Sequence, residues 1–220
     1  MNPGPVGILG GTFNPIHYGH LRSVVELRDH LGLAQVRLMP AATPPLRDKP
    51  SCPAERRAEM VRLAVADEPG LVCDERELQR EGPSYTLDSL RQIRGELGND
   101  ASLSLILGTD AVARLDSWHR WQELLEYANL VVIARPGWEL PRGGTVGSWL
   151  QQHLTAAAAT LQHRPCGGVF LETLRPLAIS ATEIRQLIAA GQSPRYLIPD
   201  AVWKLIQSVG LYGCGGQHRE

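Results

Sequence analysis

Apolar residues along the first forty positions fall into three runs of different spacing. Val6-Gly7-Ile8-Leu9 is continuous and breaks at Gly10-Gly11, the mark of a buried strand ending in a glycine turn. Leu21, Val24, Val25, Leu27 and Leu31 then recur at helical spacing until Gly32 stops them, and Val36 to Met39 forms a second strand closed by Pro40. Strand, helix and strand in so short a length predict parallel strands joined by a right-handed crossover. The alternation continues. Residues 54 to 66 read as a helix with Met60, Leu63 and Ala64 on one side, Leu71-Val72-Cys73 as a third strand, and a helix from Thr86 carries Leu87, Leu90, Ile93 and Leu97 on one face. Residues 103 to 107 and 130 to 134 are strongly apolar strands that end at Gly108 and at Arg135-Pro136-Gly137, and Val169-Phe170-Leu171 is another. Two helices follow, the last beginning near Pro199 with Val202, Leu205, Ile206 and Val209 on one stripe.

This order predicts an α/β fold, a doubly wound parallel sheet with a small C-terminal helical part. Residues 1–212 are expected to form a single domain. Residues 138–165 are long for a connection, hold a short helix through Trp149, Leu150 and Leu154, and are read as a peripheral insertion. The tail, 213–220, is expected to be mobile.

Composition narrows the function classes. Twenty-two basic and 23 acidic side chains leave a net charge of −1, and 43% of residues are hydrophobic, which excludes wholesale disorder and argues against a dedicated binder of long nucleic acid. No apolar stretch approaches the length of a membrane span and no leader pattern opens the chain, so a cytoplasmic protein without a membrane partner is expected. Cys52, Cys73, Cys166 and Cys214 are scattered without a C-x-x-C pair, which predicts free thiols and no structural metal.

Two segments carry chemistry. Gly10-Gly11-Thr12-Phe13-Asn14-Pro15-Ile16-His17-Tyr18-Gly19-His20 leads from a buried strand into a helix, where glycines permit close approach and the helix start offers free N–H groups to an anion. His17 and His20, three apart, share a face and suit a phosphate group. A dinucleotide fingerprint fits poorly, because the glycines are misplaced and no acidic residue ends strand two. A Walker A loop is absent, and a His-x-x-His metal site has no evident third ligand. The second segment, Ile179-Ser180-Ala181-Thr182-Glu183-Ile184-Arg185, contains a capping-box pattern at Ser180 and Glu183 that accounts for both without any function. It leaves Arg185 unexplained, and a phosphate role for that side chain competes evenly with a structural one.

Together the two segments resemble the hallmarks of the nucleotidyltransferase superfamily, a GGTF-D/N-P-x-H-x-G-H loop and an I-S-x-T-x-I-R helix start. The nearest resemblance is to the bacterial nicotinate-nucleotide adenylyltransferases, over about residues 5 to 212. It implies a Rossmann-like fold and a reaction in which nicotinate mononucleotide attacks ATP directly, giving nicotinate adenine dinucleotide and pyrophosphate without a covalent enzyme intermediate. His17, His20 and Arg185 would be catalytic. Gly10, Gly11, Thr12, Phe13, Gly19, His20, Gly108, Asp110, Arg135, Ser180 and Arg185 would bind ATP, Gly108-Thr109-Asp110 resembling the family's G-x-D turn and Arg135-Pro136-Gly137 its R-P-G turn.

Gly82-Pro83-Ser84-Tyr85-Thr86 resembles the family's P-S-Y-T loop, so Tyr85 and Thr86 would meet the nicotinate carboxylate. Trp118 would stack on the pyridine ring, although an isolated tryptophan more often belongs to a core. Thr43 and Arg47 would complete the mononucleotide site. That loop departs from the family pattern, with alanine and Leu46 where relatives carry Asn and His. Mg²⁺ bound mainly through ATP phosphates is the implied cofactor, with no protein metal site. Oligomeric state is not implied. A sister transferase acting on phosphopantetheine or glycerol 3-phosphate, and a non-catalytic nucleotide-binding protein, share the outer motifs and stay open here.

Overall fold

The computed structural model describes residues 4–46, 49–134, 138–175 and 177–215. Six strands, β1 (Val6–Gly11), β2 (Gln35–Pro40), β3 (Leu71–Cys73), β4 (Leu103–Gly108), β5 (Asn129–Ala134) and β6 (Val169–Thr173), form one sheet in the order β3-β2-β1-β4-β5-β6. Every neighbouring pair is parallel. The chain winds outward from β1 to β3, returns to the other side of β1 for β4, and winds outward again to β6. The reversal between β1 and β4 opens a crevice at their carboxyl ends.

Among the described residues seven α-helices lie between the strands, α1 (Tyr18–Leu31), α2 (Ala54–Val65), α3 (Thr86–Leu97), α4 (Thr109–Val112), α5 (Leu124–Tyr127), α6 (Gly144–Gln152) and α7 (Ala158–His163), and two, α8 (Ala181–Ala189) and α9 (Asp200–Val209), follow β6. Alternation along the strands feeds a core on each face of the sheet. Val6, Ile8, Leu105, Leu107, Leu130 and Val132 pack with Leu87, Leu90 and Ile93 of α3. Ile106 and Val131, between them in the alternation, pack with apolar faces of α1, α2, α8 and α9. The doubly wound α/β fold is as expected from the sequence. No described helix is long and apolar enough to cross a membrane.

Several local expectations are corrected. β1 runs through Gly10 and Gly11 rather than ending at them, because both pair with Met39 and Pro40 of β2. On α2, Leu63 is 39% exposed; Arg57, Ala58, Val61 and Val65 turn inward instead, beside Met60. On α9, Val209 is 41% exposed, at the last turn beside the Gly210 cap. Residues 138–165 are not a peripheral insertion. They form most of the crossover that a parallel β5–β6 pair requires, with Leu150 in one core, Leu161 in the other, and Gln162 Nε2 donating to the Leu31 carbonyl. Leu154 lies outside α6, half exposed, in a bridge to Val169. Nor does order stop at residue 212: a 3₁₀ turn spans Leu211–Gly213 and Cys214 packs on the core, while 216–220 lie outside the described residues.

Two buried arginines hold opposite ends of the sheet. Arg57, 1% exposed, donates from Nη1 to Thr12 O (2.7 Å), from Nη2 to Ala42 O (3.2 Å) and from Nε to Cys52 O (3.1 Å), gathering the chain that leaves β1 and β2. Arg94 donates to Ala101 O (2.6 Å), Tyr127 O (2.6 Å) and Pro165 O (2.8 Å), gathering the chain that enters β4, β5 and β6. Neither guanidinium meets a carboxylate among the described residues. Removing such a group leaves several buried carbonyls without donors and a cavity besides. Arg57→Ala should therefore cost on the order of 3 kcal/mol, read as a fall in Tm of roughly 10 °C for a chain of this size. A shift under about 2 °C would mean that Arg57 does not clamp these loops.

Candidate active site

The glycine loop leaves β1 at the crevice. A Cβ on Gly11 would stand 2.9 Å from the Phe13 ring, so glycine is needed there for space. Phe13 itself sits in the left-handed region at φ 46°, held by a buried ring that meets His20 edge-on at 5.2 Å. His17 is the residue before α1 and makes no capping bond; His20 lies in the first turn. Their rings stack at 3.7 Å between centroids. Gly19 makes this possible, since a Cβ there would lie 2.9 Å from His17 Nδ1.

Both imidazole Nδ1 atoms are buried without a hydrogen-bond partner. Burial lowers the pKa of His17 to about 4, and burial together with the neighbouring His17 lowers that of His20 to about 3. The pair is therefore neutral near pH 7, with each ring able to donate one N–H to an anion.

These histidines open onto a cavity of about 1180 Å³, which is also lined by Thr12, Phe13, Asn14, Lys49, Ser51, Asp110, Ser180 and Arg185. The N-termini of α1 and α8 border it, both favourable to negative charge. Ser180 occupies the N-cap of α8 but makes no side-chain capping bond, so the expected capping box does not form. The purely structural account of Ser180 falls with it. Arg185 donates from Nη1 to Asn14 O at 2.7 Å and from Nη2 to Thr182 Oγ1 at 3.3 Å, which brings the two motif segments together across the cavity.

A second cavity of about 430 Å³ adjoins the first, with Thr12, Pro45 and Leu46 lining both. Tyr85, Thr86 and Trp118 line it, with Ser84, Arg114 and His119. Tyr85 and His119 stack at 4.3 Å between ring centroids. Thr43 is not part of the wall. Its backbone N–H donates to Ser84 Oγ (3.1 Å) and its carbonyl accepts from the Ser84 N–H (2.9 Å), tying the loop after β2 to the loop before α3.

Gly10 and Gly108 sit at the exposed strand ends and line neither cavity. Arg47 and Arg135 lie outside the described residues. Among the described residues no cluster of three His, Cys, Asp or Glu could hold a metal ion, and all four cysteines are free thiols.

The sequence reading missed Lys49, Ser51, Arg114 and His119, and gave Asn14 no role. His119 had a signal, an aromatic ring following Trp118. The others lacked one, because only the folded loops bring them to the crevice.

A family model described as cytidylyltransferase-like matches residues 8–187. Probable nicotinate-nucleotide adenylyltransferases of Aeromonas salmonicida and Cellvibrio japonicus are 50% and 51% identical, covering 96% and 94% of this chain and 99% and 98% of their own. Plasmodium falciparum nicotinic acid mononucleotide adenylyltransferase complexed with NaAD superposes with a TM-score of 0.71 at 16% identity, over 95% of this chain and 97% of that one. At that identity the likeness establishes the fold.

The histidine pair sets a pH dependence. Both groups titrate below their ordinary value in the folded chain, so between about pH 6.5 and pH 4 the unfolded chain binds more protons, and stability falls as pH falls. Thermal melts from pH 7 to pH 5 should decline less steeply in His20→Asn than in the unsubstituted protein. Parallel slopes would contradict a neutral buried His20.

Proposed function

Because the chain belongs to the cytidylyltransferase-like family, and within it to the nicotinate-nucleotide adenylyltransferases, we propose that it joins nicotinate mononucleotide to the AMP part of ATP, a step of NAD biosynthesis. The 5′-phosphate oxygen of the mononucleotide attacks the α-phosphorus in line. The new P–O bond gives nicotinate adenine dinucleotide, and the bond to the β-phosphate breaks to release pyrophosphate. The attacking phosphate is already anionic, so no general base is needed. Catalysis reduces to holding two anions together and stabilising charge on the departing pyrophosphate.

The observation that carries this reading is the stacked, unpartnered histidine pair facing Arg185 across the larger cavity. His17 and His20 contact the triphosphate, each donating without needing a proton first. Arg185 and Ser180 meet the β- and γ-phosphates. The turn through Gly11, Thr12, Phe13 and Gly19 brings backbone to the nucleotide and Asp110 accepts from ribose hydroxyls; the family resemblance would give Gly10, Gly108 and Arg135 a part in binding ATP as well. In the smaller cavity Trp118 covers the pyridine ring and the backbone at Tyr85 and Thr86 receives its carboxylate; the family resemblance would assign the mononucleotide phosphate to Arg47. Thr43 contributes by fixing Ser84 through its backbone.

The family generally uses a divalent metal. Asp110 is the sole acidic side chain lining the larger cavity among the described residues, a donor set that fits Mg²⁺ held through phosphate oxygens and water. Bound there, the ion supplies charge neutralisation for the triphosphate.

Three measurements test this reading. Purified protein with ATP, Mg²⁺ and nicotinate mononucleotide should yield the dinucleotide and pyrophosphate, and His20→Ala should lower kcat by roughly 10²- to 10³-fold, far more than it weakens ATP binding. Near-normal turnover in that variant would remove His20 from the reaction. With nicotinamide mononucleotide the rate should fall well below that with nicotinate mononucleotide, since backbone N–H donors prefer a carboxylate. Equal rates would contradict the assigned pocket.

A further inference from the structure

Tyr212 lines neither cavity. It sits in the turn Leu211–Gly213 with its backbone in the left-handed region at φ 59°, between Gly210 and Gly213, whose φ values of 69° and 83° are also positive. A bulky residue holds that conformation only where its contacts over-determine it. Here they do. The ring packs against the core of α1, α2, α8 and α9, and the hydroxyl donates to Asn14 Oδ1 at 2.7 Å. Burial pushes the phenol far above its ordinary pKa, so the group stays a proton donor throughout the working range.

Asn14 is itself buried and hydrogen-bonded to three other segments of the chain. Its Nδ2 donates to Ser51 Oγ at 3.3 Å, its Oδ1 accepts from Tyr212, and its backbone carbonyl accepts from Arg185 Nη1 at 2.7 Å. One residue thus joins the glycine loop to the loop after β2, to α8 and to the C-terminal turn. The phenol and Ser51 fix the Asn14 side chain, and with it the carbonyl that holds Arg185. Without that carbonyl, Arg185 keeps only the longer contact to Thr182 among the described residues.

We propose that Tyr212 is a positioning residue for the transfer, aiming the Arg185 guanidinium at the triphosphate through Asn14. The inference rests on the reading of Arg185 as a triphosphate ligand. It assigns the C-terminal turn a part in nucleotide binding although that turn touches no substrate.

The test is a double-mutant cycle with Tyr212→Phe, Arg185→Gln and the pair, reading calorimetric affinity for α,β-methylene-ATP alongside kcat and KM. Tyr212→Phe should weaken the analogue and lower kcat/KM for ATP by roughly tenfold, with KM for nicotinate mononucleotide changed less than about twofold. In the Arg185→Gln background the same substitution should change affinity by less than about twofold, since its route is already cut.

An equal loss in both backgrounds, or no loss in the single variant, overturns the proposal. Calorimetric stoichiometry counts only binding-competent protein, so partial unfolding does not mask the answer. The binding cycle does not depend on which mononucleotide the protein accepts. Failure to form nicotinate adenine dinucleotide would therefore refute the functional reading while the cycle still decides the role of Tyr212.

Discussion

A guanidinium taken out of water and given only carbonyl oxygens for company is the constraint on which this site rests. Arg57 uses Nε, Nη1 and Nη2 to hold Cys52, Thr12 and Ala42, and so fixes the glycine loop against the loop that follows β2. Desolvation works against its charge, yet an arginine does not lose its proton in a protein. Because carbonyl dipoles and not a carboxylate solvate it, its formal charge is retained directly behind the crevice. A buried ion pair would hold the loops equally well but would cancel the field that an incoming polyanion meets.

The rest of the site follows the same economy. Two helix N-termini, two neutral imidazoles and Arg185 converge on the larger cavity without a surplus of basic residues in the chain. Neutral histidines suit a crevice that must also be stable without substrate, since two stacked imidazolium rings would repel at this separation. The net charge of −1 is thus compatible with a protein that handles two anionic nucleotides, because placement and burial set the local potential more than the total does. The polar network around Asn14 extends this arrangement to the end of the described chain and gives Arg185 its direction.

Much of this was legible beforehand. The six strands and the helices α1, α2, α3, α8 and α9 followed from spacing, and His17 and His20 stood out because glycine and helix-start signals surround them, whereas Ser180 and Arg185 gained a role only from the family resemblance. The failures have particular causes. Leu63 was placed inward because periodicity assigns apolar residues to the buried stripe, whereas α2 buries Arg57 there. The capping box at Ser180 is a sequence pattern whose bonds the folded helix does not make. Residues 138–165 read as an insertion because no local signal shows that Leu150 and Leu161 enter opposite faces of one sheet.

The sequence by itself determined the parallel α/β architecture and the two motif segments, since both are written in local spacing, in glycines and in helix starts. Only the tertiary structure decided that these segments meet. Asn14 and Arg185 are 171 positions apart and touch because the sheet reverses between β1 and β4 and α8 returns to its carboxyl edge. It also decided that the histidines are neutral and that a buried arginine, not a carboxylate, stands behind the glycine loop. Those properties depend on which groups lose water, and desolvation belongs to the folded whole and to no single stretch of chain.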